Sequence, residues 1–164
     1  MAAQRYPPGR RRAAGGAAIV RLLSRNVEIV RQAFEAFGRR DAAALLRLCS
    51  EEIVFEPVTA RVAGDERPYV GHEGLRRYLD DVGRVWQDLR PEPTDFFEGD
   101  DGVVVATGRV YAWGIGRVID SPAGWVWRLR DGVIVHGRVF ETARGALEAV
   151  RLAPPGGVDG RHPE

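Results

Sequence analysis

Between Thr94 and Glu141 four β-type runs follow one another: TDFFEG, GVVVATGRVYAWG, GWVWRLR and VIVHGRVFE. Turn-forming stretches such as GDDG and RDG part them. Before them come two helical patterns, one strand and a third helical pattern, so helices precede strands instead of alternating with them. That order requires an α+β fold, with helices on one face of a curved antiparallel sheet. No strand leads into a glycine-rich phosphate loop and a helix, which argues against a dinucleotide fold.

Ser24 or Asn26 is expected to cap the first helix, where Val27, Val30, Ala33, Phe34 and Phe37 keep helical spacing. Gly38 breaks it, and Asp41 caps a second helix carrying Leu45, Leu46 and Leu48. In EEIVFEPV, Ile53 and Phe55 share one strand face and Val54, Glu56 and Val58 the other. Pro57 confines that strand to an edge or an end. HEGLRRYLDDVGRVWQDL sets Leu75, Leu79, Val82 and Trp86 on one helical stripe, which Pro91 and Pro93 are expected to end. Ser121, in DSPAG, reads as a turn residue, and Thr142 as the N-cap of a last helix. The expected organisation is a disordered, Arg-rich extension over 1–23, one domain over 24–153 and a disordered tail over 154–164.

A chain of 164 residues, 45% hydrophobic and 29% charged, suits one domain with one core. The net charge of +1 hides an asymmetry. Arg5, Arg10, Arg11, Arg12, Arg21 and Arg25 precede Asn26 with no acid among them. Setting those six aside leaves 18 of the 24 basic residues against 23 acidic ones, so the folded part is not a nucleic-acid binder. No run reaches the roughly 20 apolar residues that span a bilayer, and no membrane partner is expected. RRRAAGGAAIVRLL is similar to a twin-arginine signal, but its apolar stretch is short and Arg21 interrupts it, so a cytoplasmic location is expected. Cys49 is the single cysteine, which excludes an internal disulfide and reads as core filler. His72, His136 and His162 are far apart without cysteine partners, so neither metal nor cofactor is expected. His72 reads as a helix cap, a surface group or a pocket edge. No Gly-x-Ser-x-Gly nucleophile elbow occurs.

The chemistry-bearing candidates are His136 and Arg138, two apart on the last strand. Two readings remain. Val133, Val135 and Val139 form one apolar face, which would turn His136 and Arg138 to water. Ile134 and Phe140 share their face, which fits the wall of a cavity. On the long central strand, Val104, Ala106, Gly108, Val110 and Ala112 form a small face suited to close packing. Val103, Val105, Thr107, Arg109, Tyr111 and Trp113 form a large one suited to a pocket or an interface. Exposure of Trp113 or Trp125 on an outer sheet face would mark a protein-binding surface.

Four segments carry a family resemblance: NVEIVRQAFEAFGRRD, EIVFEPV, YVGHEGLRRYL and WRLRDGVIVHGRVFETARGALEAV. From about Asn26 to Leu152 the chain resembles the SnoaL-like polyketide cyclase family. That family belongs to the nuclear transport factor 2-like superfamily, with ketosteroid isomerase and limonene epoxide hydrolase. The resemblance implies a cone-shaped α+β barrel, a curved antiparallel sheet wrapped around the N-terminal helices and enclosing an apolar pocket. It also implies a homodimer paired through the outer sheet face. Catalytic relatives place an acid from the last strand in the pocket. Aligning VFE with the family's aromatic-acid ending puts Arg138 at that position and His136 at a pocket aromatic. On the strand before, Trp125 and Ala123 stand where the epoxide hydrolases have Asp and Arg, so the water-activating triad is absent. Arg138 stays protonated and cannot be a base. With the family orientation, His136 or Glu56 is the candidate base and Arg138 the donor to an oxyanion. Trp125, Trp127, Tyr111, Phe34, Tyr69 and Phe140 are then the expected aromatic lining. The resemblance implies a small-molecule pocket that binds an apolar, oxygen-bearing or anionic metabolite. The alternative is a cofactor-independent isomerase or cyclase working by proton transfer.

Overall fold

The computed structural model describes residues 15–58 and 67–151, with side chains from Arg25 onward. Helix α1, Gly15–Gly38, starts well before Ser24 and Asn26, so neither caps it. Residues 1–14 of the expected extension and the tail beyond Arg151 lie outside the described residues. The helical spacing buries Val30, Ala33 and Phe34. The helix closes one turn after its glycine. Arg40 takes a positive φ of 57°, its N–H donates to the Phe37 carbonyl at 3.0 Å, and the Asp41 N–H donates to the Ala36 carbonyl at 2.9 Å. This is a Schellman closure with arginine where glycine is usual. The Asp41 carboxylate then accepts from the Ala44 N–H at 2.9 Å and starts α2, Ala42–Leu48.

Among the described residues, six strands form one sheet in the order β2-β1-β6-β5-β4-β3. They are β1 Cys49–Glu56, β2 Tyr69–Val70, β3 Asp88–Glu98, β4 Val103–Gly114, β5 Arg117–Arg130 and β6 Val133–Phe140. The expected antiparallel sheet is in fact mixed, because β1 and β6 are parallel. The two lie far apart in sequence, and the helix and four strands between them supply the long crossover a parallel pair needs. The sheet is curved but not closed, since β2 and β3 are its two edges.

Helix α3, Gly71–Val85, lies inside the curve with α1. It ends at Trp86, before the prolines expected to stop it. Strand β3 runs through Pro91 and Pro93 and pairs with β4 alone. An edge strand has one side on which a missing N–H costs no ladder bond. Strand β5 likewise runs through Ser121 and Pro122, which had read as a turn. Pairing of β5 with β6 begins only at Gly124, so Pro122 also sits on a stretch with one neighbour.

The helices do not share one face. Helix α4, Ala143–Arg151, packs on the convex side, where Ala146 meets Val103, Val105 and Val126. The Thr142 hydroxyl caps it, accepting from the Gly145 N–H at 3.0 Å. The main core fills the concave side, with Ile53, Val104, Ala106 and Ile134 almost wholly buried. The small face of β4 therefore looks inward. Of its large face, Arg109 and Trp113 are exposed on the outside.

Candidate functional site

The concave side encloses a cavity of about 440 Å³. Helix α1 contributes Phe34 and Phe37, β1 contributes Ile53 and Phe55, and α3 contributes Leu75 and Tyr78. The far wall is β5, whose alternation presents Ser121, Ala123, Trp125 and Trp127 on one face. Phe34 meets Trp125 edge-on at 5.1 Å and Trp127 at 5.7 Å, while Trp127 stacks on Phe55 at 6.0 Å. These contacts hold the rings as a rigid wall. Gly137 of β6 makes the stack possible, because a Cβ there would lie 2.6 Å from Trp127 Cζ3 and 3.0 Å from Phe55 Cδ2. The Trp127 indole N–H is buried with no partner among the described residues, a cost that a bound acceptor could relieve.

Polar groups on the lining are few. Cys49 lies there, and burial pushes its thiol pKa from 9.0 up to about 12, so it stays a neutral thiol. Ser121 and Glu141 also line the cavity, with Glu141 exposed. Among the described residues no cluster of three or more His, Cys, Asp or Glu could hold a metal ion.

His136, Arg138 and Glu56 do not line this cavity. The expected inward orientation is reversed, and a β-bulge is the reason. Leu129 pairs with Ile134, but the next residue back, Arg128, pairs with His136. Val135 is the extra residue. In a regular ladder Ile134 and His136, two apart, would share a face. With it, Ile134 is fully buried in the core while His136 lies on the convex side. The following alternation confirms the phase. Gly137 opposes Trp127 and Val139 opposes Trp125 on the cavity side, whereas Arg138 opposes Val126 on the α4 side.

On that outer face His136 Nε2–H donates to Glu56 Oε2 at 2.8 Å, with the two side chains 29% and 40% exposed. His136 Nδ1 has no partner among the described residues. The Arg138 guanidinium lies over the Phe140 ring, 5.0 Å from its centre. The three candidates are thus brought to one place, but outside the cone. Tyr111 also faces outward, beneath the Arg90 guanidinium at 5.0 Å. Tyr69 donates its hydroxyl proton to Asp81 at 2.9 Å, away from the cavity. Phe34, Trp125, Trp127 and Phe140 do line it. His72 is not a helix cap: its Nε2–H donates to the Cys49 carbonyl at 3.0 Å and ties α3 to β1. The sequence reading missed Phe55, Tyr78, Ser121 and Glu141 as lining residues. The strand alternation that pairs Phe55 with Ile53 was the available signal for the first.

A family profile described as the SnoaL-like domain matches residues 30–137. The chain belongs to the SnoaL-like family. Among solved structures it is similar to an NTF2-like protein of unknown function from Burkholderia pseudomallei, with a TM-score of 0.66 and 23% identity over 80% of this chain and 99% of that one. It is similar to a candidate polyketide cyclase from Xanthomonas campestris, with a TM-score of 0.63 and 18% identity over 75% and 94% of the two chains. It is also similar to a Mycobacterium tuberculosis protein in complex with estradiol-17beta-hemisuccinate, with a TM-score of 0.62 and 15% identity over 71% and 92%. At these identities the likeness is one of fold. No curated protein matches the sequence. This SnoaL-like chain keeps the family's curved sheet and cavity, and it carries its histidine and arginine on the other side of the wall.

Proposed function

We propose that the cavity binds a small, largely apolar molecule whose polar end is a neutral hydroxyl or carbonyl. The observation that carries this reading is the lining itself: aromatic and aliphatic side chains around about 440 Å³, with Ser121 and Glu141 as the polar groups beside the Tyr78 and tryptophan edges. An oxygen-bearing or anionic ligand held by Arg138 was among the expectations, and the geometry argues against the anionic one and against a role for Arg138. No arginine, lysine or histidine is among the lining residues, and the Glu141 carboxylate repels an anion. A hydroxyl can donate to Glu141 or Ser121 while its rings pack against Trp125, Trp127 and Phe34. The Mycobacterium tuberculosis protein is in complex with estradiol-17beta-hemisuccinate, whose steroid rings are of the flat apolar type that such a wall accommodates and whose half-ester ends in a carboxylate.

Catalysis is the second reading, and one observation favours it: Glu141 is the one carboxylate on the lining among the described residues. A proton transfer inside this cavity would fall to Glu141, not to His136 or Glu56.

Trp86, Trp125 and Trp127 line the cavity, so binding is read by quenching of tryptophan emission. Titration with estradiol is expected to quench, and its hemisuccinate is expected to bind about tenfold more weakly because a carboxylate meets Glu141. Ala123→Phe, which fills the cavity, is expected to remove the quenching with the fold retained. Tighter binding of the hemisuccinate, or unchanged quenching in Ala123→Phe, would refute the reading. Glu141→Gln separates the two alternatives, since it removes turnover but not binding.

A further inference from the structure

Glu56 stands in register with Arg138 on the neighbouring strand, yet its carboxylate accepts from His136 Nε2–H instead, at 2.8 Å. The Arg138 guanidinium lies over the Phe140 ring. A guanidinium stacked in this way keeps its N–H groups, which lie in its plane, available to an acceptor. On β5, exposed Arg128 stands directly opposite His136. Neither arginine has a carboxylate partner among the described residues.

Both arginines project from the outer face of the sheet. Arg138 is two residues beyond His136, so the two are diagonal neighbours whose backbones lie about 7–8 Å apart. Helix α4 roofs buried Val126, the partner of Arg138 on β5, and bounds the corner on that side. The one carboxylate of α4, Glu148, is engaged with Arg144 at 3.4 Å. Glu56 lies across β6, on the side away from Arg128. Two positive charges thus flank His136, and the Glu56 carboxylate is turned to the histidine.

We propose that this corner is a second binding site, which takes a doubly charged phosphate group between Arg128 and Arg138, as the free ion or as the end of a monoester. Two guanidinium forks without carboxylates call for two negative charges, and the oxygens of one tetrahedral phosphate accept from both. A lone carboxylate carries one charge and two oxygens in a single plane, so it satisfies one fork and leaves the other. A phosphodiester is also singly charged and meets the same shortfall. Arg128, His136 and Arg138 are absent from the cavity lining, so the site does not depend on what the cavity holds.

The test is an NMR titration of the full chain with sodium phosphate at about pH 8, where the dianion dominates, at constant ionic strength. Saturable shifts of the Arg128, His136 and Arg138 amides are expected, with the indole N–H signals of Trp125 and Trp127 unmoved. Glycerol phosphate separates the two sources: binding equal to phosphate or tighter assigns the monoester, and its exclusion assigns the free ion. Dimethyl phosphate and acetate, both singly charged, are expected to bind about fivefold more weakly. Arg128→Gln and Arg138→Gln are each expected to melt with wild type and to lose about fivefold in affinity. Arg144→Gln is expected to lose nothing, because Arg144 is already paired. Absence of saturation, shifts centred elsewhere, or equal binding of either singly charged ion would overturn the proposal. So would wild-type affinity in Arg128→Gln or Arg138→Gln, or an equal loss in Arg144→Gln.

Discussion

The two faces of β6 share a backbone and differ in almost everything else. Toward the helices it presents Ile134, Gly137 and Val139, which complete an apolar wall. Toward α4 and solvent it presents His136 and Arg138, with Glu56 reaching across from β1, while Phe140 at its end packs toward α4 and also borders the cavity. A histidine two residues from a core isoleucine is an outward group only because one unpaired residue stands between them. The chemical character of the cavity is therefore decided by ladder register as much as by which residues the strand contains. A wall of this kind suits a ligand held by shape and apolar contact, and His136 and Glu56, the bases the sequence offered, lie outside it.

The contrast is broken most severely from the inside. Ile134→Ala is expected to cost about 2–5 kcal/mol in chemical denaturation, because the site is fully buried and cannot collapse freely. His136→Ala, on the other face, is expected to cost about 1 kcal/mol or less, since its pair with Glu56 is partly exposed. Equal costs would mean that both side chains face the core. Gly137→Ala comes next, at about 1–3 kcal/mol, because the added Cβ meets two packed rings that have no flexible end to move. A pH dependence sharpens the contrast further. In the folded chain the Cys49 thiol keeps its proton to about 12, whereas the unfolded chain loses it from about 9.0. The unfolded state then binds fewer protons, so stability falls as pH rises through that window. Between pH 8 and pH 10, wild type is expected to lose about 1.4 kcal/mol more than Cys49→Ala in urea denaturation. Equal losses would show that the thiol is hydrated.

Much of the fold was legible in the sequence. The order of helical and strand periodicities, the Asp41 and Thr142 caps and the Asp131–Gly132 turn are local signals, and each is where the residues placed it. The start of β3 was not legible, nor was the first half of β5. Pro91, Pro93 and Pro122 look like strand breakers until their position beside an open edge is known, and that position is a property of the whole sheet. The aromatic wall was half legible: two tryptophans in alternation announced a buried face on β5. The small face of β4, expected to suit close packing, turns inward, where Val110 and Ala112 border the cavity, and the large face that had suited a pocket looks outward. The orientation of His136 and Arg138 was not legible, because the extra residue at Val135 is defined only by pairing with β5. Of the two flanks that suggested a cavity wall, Ile134 is buried in the core and does not line the cavity, whereas Phe140 packs toward α4 and borders the cavity as well.

The prolines of β3 carry one more consequence. A long sheet border invites a strand from another molecule, and repeated addition leads to filaments. Here that border holds Pro91 and Pro93 and an irregular register between Pro93 and Asp95, while the opposite border is a strand of two residues. Neither side offers a continuous row of free donors to a newcomer. Whatever association this chain undergoes is thereby steered to broad surfaces and away from growth by strand addition.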